Sequence, residues 1–397
     1  KLMAEEFDRI RRLPPYVFSE VNRIKAELRS KGEDIIDFGM GNPDMPTPSH
    51  IIEKLKETVI KPGTGRYSVS RGIPGLRKAQ SKYYKKRFNI DLDPEKEVIV
   101  TLGSKEGLAN LAQAMTTPGD IILSPNPSYP IHPYGFIIAG ASLRHLPTMD
   151  DGIFNPEIFL ERLDRSIRHS SPKPVALIVS FPSNPTAQVV GLDFYEEVVK
   201  IARKHKTYIL SDLAYAEIYF DGKPPPSILQ VKNAKNIAVE FTSMSKTYAM
   251  AGWRIGFAVG NQKLIAALTK IKSYLDYGAF TPVQVAAAAA LNGPQKCVSE
   301  IRSIYQGRRD VLIESMSRAG WDIPSPEASM FAWAPIPTKY KKKGSLKFAK
   351  DLMTKAHVAV APGIAFGEYG EGFVRIGLVE NEQRIRQAAK NIKKLLL

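Results

Sequence analysis

Short apolar runs alternate with amphipathic stretches along most of this chain. Residues 98–101, 120–124, 175–180, 208–211 and 237–241 are segments of four to six residues rich in Val, Ile and Leu. Their length and β-branched content predict strands, and their near-continuous apolar character predicts burial on both faces. Between them, residues 104–115 and 193–204 carry apolar side chains at helical spacing. The alternation predicts an α/β fold, with a mainly parallel sheet sandwiched by helices.

The ends of the chain read differently. From residue 4 an arm leads to Leu13-Pro14-Pro15-Tyr16, which breaks the chain before a helical pattern over 17–29. Residues 34–38 predict a short strand running into the turn-rich Gly39-Met40-Gly41-Asn42-Pro43-Asp44. Its Gly-x-Gly lacks the third glycine and following helix of a dinucleotide site, so the glycines instead allow close backbone approach to a ligand. A polar loop, Gly65-Arg66-Tyr67-Ser68 through Gly75, precedes a helix beginning near Leu76. Helices dominate 283–320, including a long pattern over 295–318. Strands at 328–333, 357–360 and 372–376 and a helix over 381–397 then form a smaller α+β domain. The expected division is 1–48 as arm and first part of the small domain, 49–288 as the large domain, and 289–397 as the rest of the small domain. No internal repeat or low-complexity linker interrupts it.

Composition changes this picture little. With 397 residues, 44% hydrophobic and 24% charged, the chain can bury a sizeable core. No apolar run is long enough to span a bilayer, the longest being residues 285–291. The charged N-terminal stretch lacks the apolar core of a signal peptide. A single cysteine, Cys297, excludes an internal disulfide and reads as a packed small hydrophobe, which fits a cytoplasmic protein. The net charge of +16 comes from scattered lysines and arginines, without a helix-turn-helix, zinc-ligand spacing or RNA-binding motif. It points to small acidic substrates, with no nucleic acid, membrane or metal expected.

The candidate chemistry lies just past the strand ends, where a parallel sheet binds ligands. Gly103-Ser104-Lys105 follows the first strand and Pro127-Ser128-Tyr129-Pro130 the second. Pro182-Ser183-Asn184-Pro185, Asp212-Leu213-Ala214-Tyr215 and Ser243-Met244-Ser245-Lys246 follow the next three. Lys246 by itself reads equally as a surface lysine. In this company it reads as an amine whose pKa is lowered so that it condenses with an aldehyde. Arg254, eight residues on, supplies a fork suited to a phosphate. Asp212 is either a helix cap or a carboxylate that keeps a ring nitrogen protonated. Tyr129 either stacks on a ring or packs in its loop.

Together these residues resemble the class I, fold-type I aminotransferases that use pyridoxal 5′-phosphate. Leu13-Pro14-Pro15-Tyr16-Val17-Phe18, Gly103-Ser104-Lys105-Glu106-Gly107, residues 181–188, Met250-Ala251-Gly252-Trp253-Arg254 and Ile271-Lys272-Ser273-Tyr274 resemble the glutamate–pyruvate, alanine-forming subgroup. The resemblance implies a seven-stranded-type sheet in the large domain, a small domain built from both chain ends, and a homodimer with shared active sites. It implies a ping-pong aldimine mechanism acting on amino acids and 2-oxo acids. Lys246 would hold the cofactor and move the substrate proton, Asp212 would face the ring nitrogen, and Tyr215 with Asn184 would face the phenolate oxygen. Gly103, Ser104, Lys105, Ser243 and Arg254 would hold the phosphate, with Tyr67 reaching it from the partner subunit and Tyr129 against the ring. Arg375, assisted by Asn184 and Gly41, would bind the substrate α-carboxylate. An arginine amid Phe373, Val374, Ile376 and Leu378 is costly unless it meets an anion. Some aspartate aminotransferases place a partner-chain arginine near the position of Tyr277-Gly278-Ala279-Phe280. This chain has none there, which argues against strict aspartate specificity. Lys105 is the candidate for a distal carboxylate and Tyr16 the candidate lid.

The expected activity is amino transfer between glutamate and pyruvate, giving alanine and 2-oxoglutarate. The alternatives are another donor (LL-diaminopimelate, aspartate or methionine), a β-eliminating lyase, or a non-catalytic pyridoxal-phosphate-binding regulator.

Overall fold

Seven strands form the central sheet: β1 (Val98–Thr101), β2 (Ile121–Asn126), β3 (Ser142–Pro147), β4 (Ala176–Ser180), β5 (Tyr208–Asp212), β6 (Ala238–Ser243) and β7 (Gly256–Gly260). They are ordered β1-β7-β6-β5-β4-β2-β3 in a computed structural model that describes residue 3 and residues 6–397. Residues 4 and 5 of the expected arm lie outside the described residues. Neighbours are parallel from β6 through β5, β4 and β2 to β3, whereas β7 is antiparallel to both β6 and β1.

The apolar runs are continuous because both faces are covered. Along β4, Leu177 and Val179 join the core on one face while Ala176 and Ile178 join the core on the other. Helices Ser104–Met115 and Gln262–Leu275 cover the second face. Helices Pro74–Phe88, Leu192–Lys204 and Thr281–Asn292 contribute to the first. Each large side chain fully buried in this way contributes about 1.5–3 kcal/mol.

A second core gathers the helices Lys296–Arg318, Ser345–Ala356 and Glu382–Leu396 against a three-stranded sheet ordered Ala361–Pro362, Phe373–Gly377, Phe331–Pro335. Ile36–Asp37 pairs parallel with Val358–Ala359, and Ile36 and Phe38 enter this core. Both ends of the chain thus build the smaller α+β part.

Two strands of the central sheet were not legible. β3 is an edge strand with Ser142, Arg144 and His145 exposed, so it carries no apolar run. β7 begins and ends on glycine and reads as the tail of the lysine motif. The strand expected over 34–38 is only two residues long, and the one expected over 328–333 forms at Phe331–Pro335.

Candidate active site

The reversal of β7 decides the site. After β6 ends at Ser243, the chain makes the short helix Met244–Thr247 and re-enters the sheet at Gly256, paired with Ser243. The whole connection therefore stays at one sheet edge, and Lys246 and Arg254 share it. The ends of β1, β2, β4 and β5 deliver Ser104, Tyr129, Asn184 and Asp212 to the same edge. These residues line a cavity of about 360 Å³, with Arg375 and Phe331 from the smaller part opposite.

Lys246 donates from Nζ to the Gly41 carbonyl at 2.7 Å. Burial, and then the positive charges of Arg375 and Arg254, lower its pKa to about 8. A substantial fraction is neutral near physiological pH, as a nucleophilic amine requires.

Asp212 accepts from the Ala214 amide at 3.1 Å through Oδ1, and its Oδ2 lies 2.8 Å from His132 Nε2. His132 is buried in the otherwise apolar helix Ile131–Ile138, and its Nδ1 has no partner. The Tyr129 ring stands edge-on to this imidazole, centroids 5.7 Å apart. Burial raises the Tyr129 phenol, with the Asp212 charge adding to it, and burial raises Tyr215 as well, so both remain O–H donors. Tyr215 packs edge-to-face on Phe331 at 5.9 Å.

Opposite Asp212 is a cradle for a tetrahedral anion. Gly103, at φ 82°, precedes the helix Ser104–Met115, whose first amides point outward with the helix dipole. A Cβ on Gly103 would sit 2.1 Å from Arg254 Nη2, so only glycine lets the guanidinium lie against that helix end. The Ser243 hydroxyl accepts from the Ser245 amide at 3.0 Å, leaving its proton to donate. The Ser104 hydroxyl donates to the Thr242 carbonyl at 2.9 Å and secures the helix to β6.

Arg375, in the strand Phe373–Gly377, is 6% exposed. Its Nη1 donates to Asn184 Oδ1 at 2.7 Å and its Nη2 to the Gly39 carbonyl at 3.0 Å, while Nε has no partner. Its guanidinium carbon lies 4.1 Å from the Phe331 ring centroid and 4.7 Å from that of Phe366. Among the described residues its hydrogen-bond partners are an amide oxygen and a backbone carbonyl, and no carboxylate is among them. A buried cation with a free donor and no anion is a ready carboxylate site. Gly41 completes it from the side: a Cβ there would lie 3.1 Å from Phe331 Cζ and 3.8 Å from Arg375 Nη2.

Eleven of the expected residues line one cavity: Gly41, Ser104, Lys105, Tyr129, Asn184, Asp212, Tyr215, Ser243, Lys246, Arg254 and Arg375. Gly103 lies behind it. Tyr16 precedes the helix Val17–Ser30, is 68% exposed and is not among the lining residues, though its ring lies 5.6 Å from that of Phe18, which in turn packs on Phe366 beside Arg375. Tyr67 is 83% exposed and stacks on Tyr277 with centroids 4.3 Å apart. Sequence reasoning missed His132 and Phe331. A lone histidine in an apolar helix, three residues past Tyr129, was the available signal for the first. For Phe331 there was none, because one aromatic in a strand looks like core.

The donor set fits pyridoxal 5′-phosphate. It combines an amine of lowered pKa, a carboxylate for the ring nitrogen, phenols for the phenolate oxygen and a glycine-lined cradle with an arginine fork for the phosphate. The family model described as "Aminotransferase class I and II" matches residues 33–392. A relative named AatC from Rhizobium meliloti (strain 1021) is 61% identical over 392 residues, 99% of this chain and 96% of the relative. The glutamate-pyruvate aminotransferase AlaC of Escherichia coli (strain K12) is 54% identical over 387 residues, 98% of this chain and 93% of the relative. Among solved structures, a single mutant of Thermus thermophilus aspartate aminotransferase superposes with a TM-score of 0.91 at 28% identity, covering 99% of this chain and all of that one.

Proposed function

The chain belongs to the class I and II aminotransferases and is a pyridoxal-phosphate-dependent transaminase, and from that premise we propose glutamate and pyruvate as its working pair. The observation that supports amino-acid chemistry at this site is the pair of Lys246 and Arg375 in one cavity, an amine of depressed pKa beside a buried guanidinium without an anion. That pair suits a 2-amino acid. The 54% identity to a glutamate-pyruvate enzyme supports the particular choice.

Pyridoxal 5′-phosphate, when bound, supplies the electron sink that makes the substrate Cα proton labile. Arg375, with Asn184, would grip the α-carboxylate and fix the Cα. Lys246 Nζ would then take the Cα proton as general base. In the reverse half-reaction it would deliver a proton to the Cα of the new amino acid. Asp212, oriented by His132, would hold the ring proton, while Tyr215 and Asn184 would donate to the phenolate oxygen. The Ser104 amide, Ser243 and Arg254 would hold the phosphate. Lys105, exposed at the cavity rim, would meet the distal carboxylate of glutamate.

We further propose a cytoplasmic homodimer. The stacked Tyr67–Tyr277 pair, with Val69, Tyr274 and Phe280 exposed nearby in sequence, supports burial of this surface by a partner that receives Tyr67 at its phosphate. The large unit would begin near residue 49. Its other boundary would lie beyond Asn292, since the helix Thr281–Asn292 runs unbroken through position 288. The decisive test assays a panel of amino donors, including LL-diaminopimelate, aspartate and methionine, against pyruvate and 2-oxoglutarate. Glutamate with pyruvate should give the highest kcat/KM, and a clear preference for another donor would overturn the assignment.

A further inference from the structure

A larger cavity, about 640 Å³, lies beside Thr247 and Tyr248, the two residues that follow Lys246. Its volume is within the range of small-molecule sites. Four elements contribute to its walls: the helix Pro74–Phe88, the segment from Glu217, the end of the helix Thr281–Asn292 and the start of the helix Lys296–Arg318. The walls are apolar at Leu291, Val298 and Pro224, and the Tyr219 ring carries the Arg302 guanidinium 3.9 Å from its centroid.

The charges do not balance. Glu217 is the single acid in the lining, and both of its oxygens are taken. Oε1 accepts from Tyr83 and Arg87 at 2.8 Å each, and Oε2 from Arg302 Nη2 at 3.2 Å. Lys82 and Lys86 stand one helical turn apart on the same wall. Among the described residues neither pairs with a carboxylate. Two ammonium groups four residues apart lie close enough to share one multi-oxygen anion.

We propose that this cavity is a second, regulatory ligand site for a phosphate monoester attached to a planar ring. Lys82 and Lys86 take the phosphate, and the apolar walls at Leu291, Val298 and Pro224 take the ring. The route to the reaction site is short. The Tyr248 hydroxyl donates to Gln295 Oε1 at 2.6 Å, and Gln295 Nε2 donates to the Gly293 carbonyl at 2.8 Å. A ligand seated here therefore bears on a residue two positions from Lys246 and on the residue preceding the helix Lys296–Arg318. The regulatory half rests on Lys246 being the reactive amine. The binding half does not.

The test uses cofactor-saturated enzyme freed of excess cofactor, with AMP as the probe, in equilibrium dialysis at physiological ionic strength to screen diffuse attraction. AMP should bind, and the double variant Lys82→Glu/Lys86→Glu should bind at least about tenfold more weakly. The control Lys341→Glu/Lys342→Glu, at lysines outside the lining, should bind as the parent does. Absent AMP binding, equal binding by the Lys82/Lys86 variant, or equal loss in the control overturns the site. Saturating AMP should change kcat/KM by about twofold or more in the parent and not in the Lys82/Lys86 variant. Binding without that change overturns the regulatory role, and neither result bears on the transaminase assignment itself.

Discussion

Lys246 donates to the Gly41 carbonyl at 2.7 Å across 205 residues of chain. Two residues earlier, Gly39 accepts from Arg375. One short N-terminal strip thus touches two of the basic groups of the site, the Lys246 amine and the Arg375 guanidinium. It stays narrow because Gly41 leaves room for Phe331 and Arg375.

Lys246→Ala should lower kcat by at least about 10³-fold, since it removes both the covalent anchor and the proton carrier. Borohydride treatment of the loaded parent should fix the cofactor so that it survives denaturation. The variant should release it.

The Lys246 amine should titrate near pH 8 rather than in the ordinary lysine range. In cofactor-free protein, acylation at this residue, followed by peptide mass spectrometry, should rise through that pH. Arg254→Gln should move the midpoint upward, because a like charge is lost. For stability the sign follows from proton counting. Between about 8 and the unfolded value the unfolded chain holds a proton that the folded amine lacks, so stability rises with pH across that window. Below it, where both states are protonated, this group adds no pH dependence. Lys246→Met should remove this contribution to the slope, as chemical denaturation of parent and variant at several pH values would measure.

Arg375→Lys should reduce kcat/KM by about 10²-fold for every amino acid and 2-oxo acid, because the α-carboxylate is common to all. Steady-state kinetics on alanine and glutamate should show near-equal losses.

Lys105→Ala should discriminate where Arg375→Lys does not. The KM for glutamate and 2-oxoglutarate should rise about tenfold, with alanine and pyruvate changed less than about twofold. Equal losses on both pairs would remove Lys105 from the distal carboxylate.

Asp212→Asn should cost about 10²-fold or more in kcat, since a neutral amide no longer favours a protonated ring nitrogen. His132→Phe should cost less, about tenfold, because the carboxylate remains but loses the partner 2.8 Å away. A His132→Phe loss as large as that of Asp212→Asn would show that the imidazole does more than orient.

The central strands were legible because each is covered on both faces, which leaves an apolar run that local sequence cannot hide. Their chemistry was legible because polar residues cluster just past the apolar ones, as at Ser180 and Asn184 or Phe241 and Lys246. β3 and β7 were not. An edge strand such as Ser142–Pro147 needs no apolar alternation, and a five-residue strand bounded by glycines has too little side-chain pattern to declare itself. His132 and Phe331 gain meaning only through partners 80 and 44 residues away, Asp212 and Arg375.

The sequence by itself determined the α/β class, through the apolar runs of the central strands, while the cofactor, and Lys246 as the residue proposed to hold it, came from the resemblance of the strand-end motifs to a known family. Tertiary structure alone decided that β7 runs backwards, which keeps Arg254 beside Lys246. It also decided that the partner of Asp212 is a histidine and that the Arg375 guanidinium, beside Asn184 as the resemblance implied, donates to the Gly39 carbonyl as well. Those relations depend on long-range pairing and packing, where contacts between distant segments set the register, and no local window of the chain contains both partners.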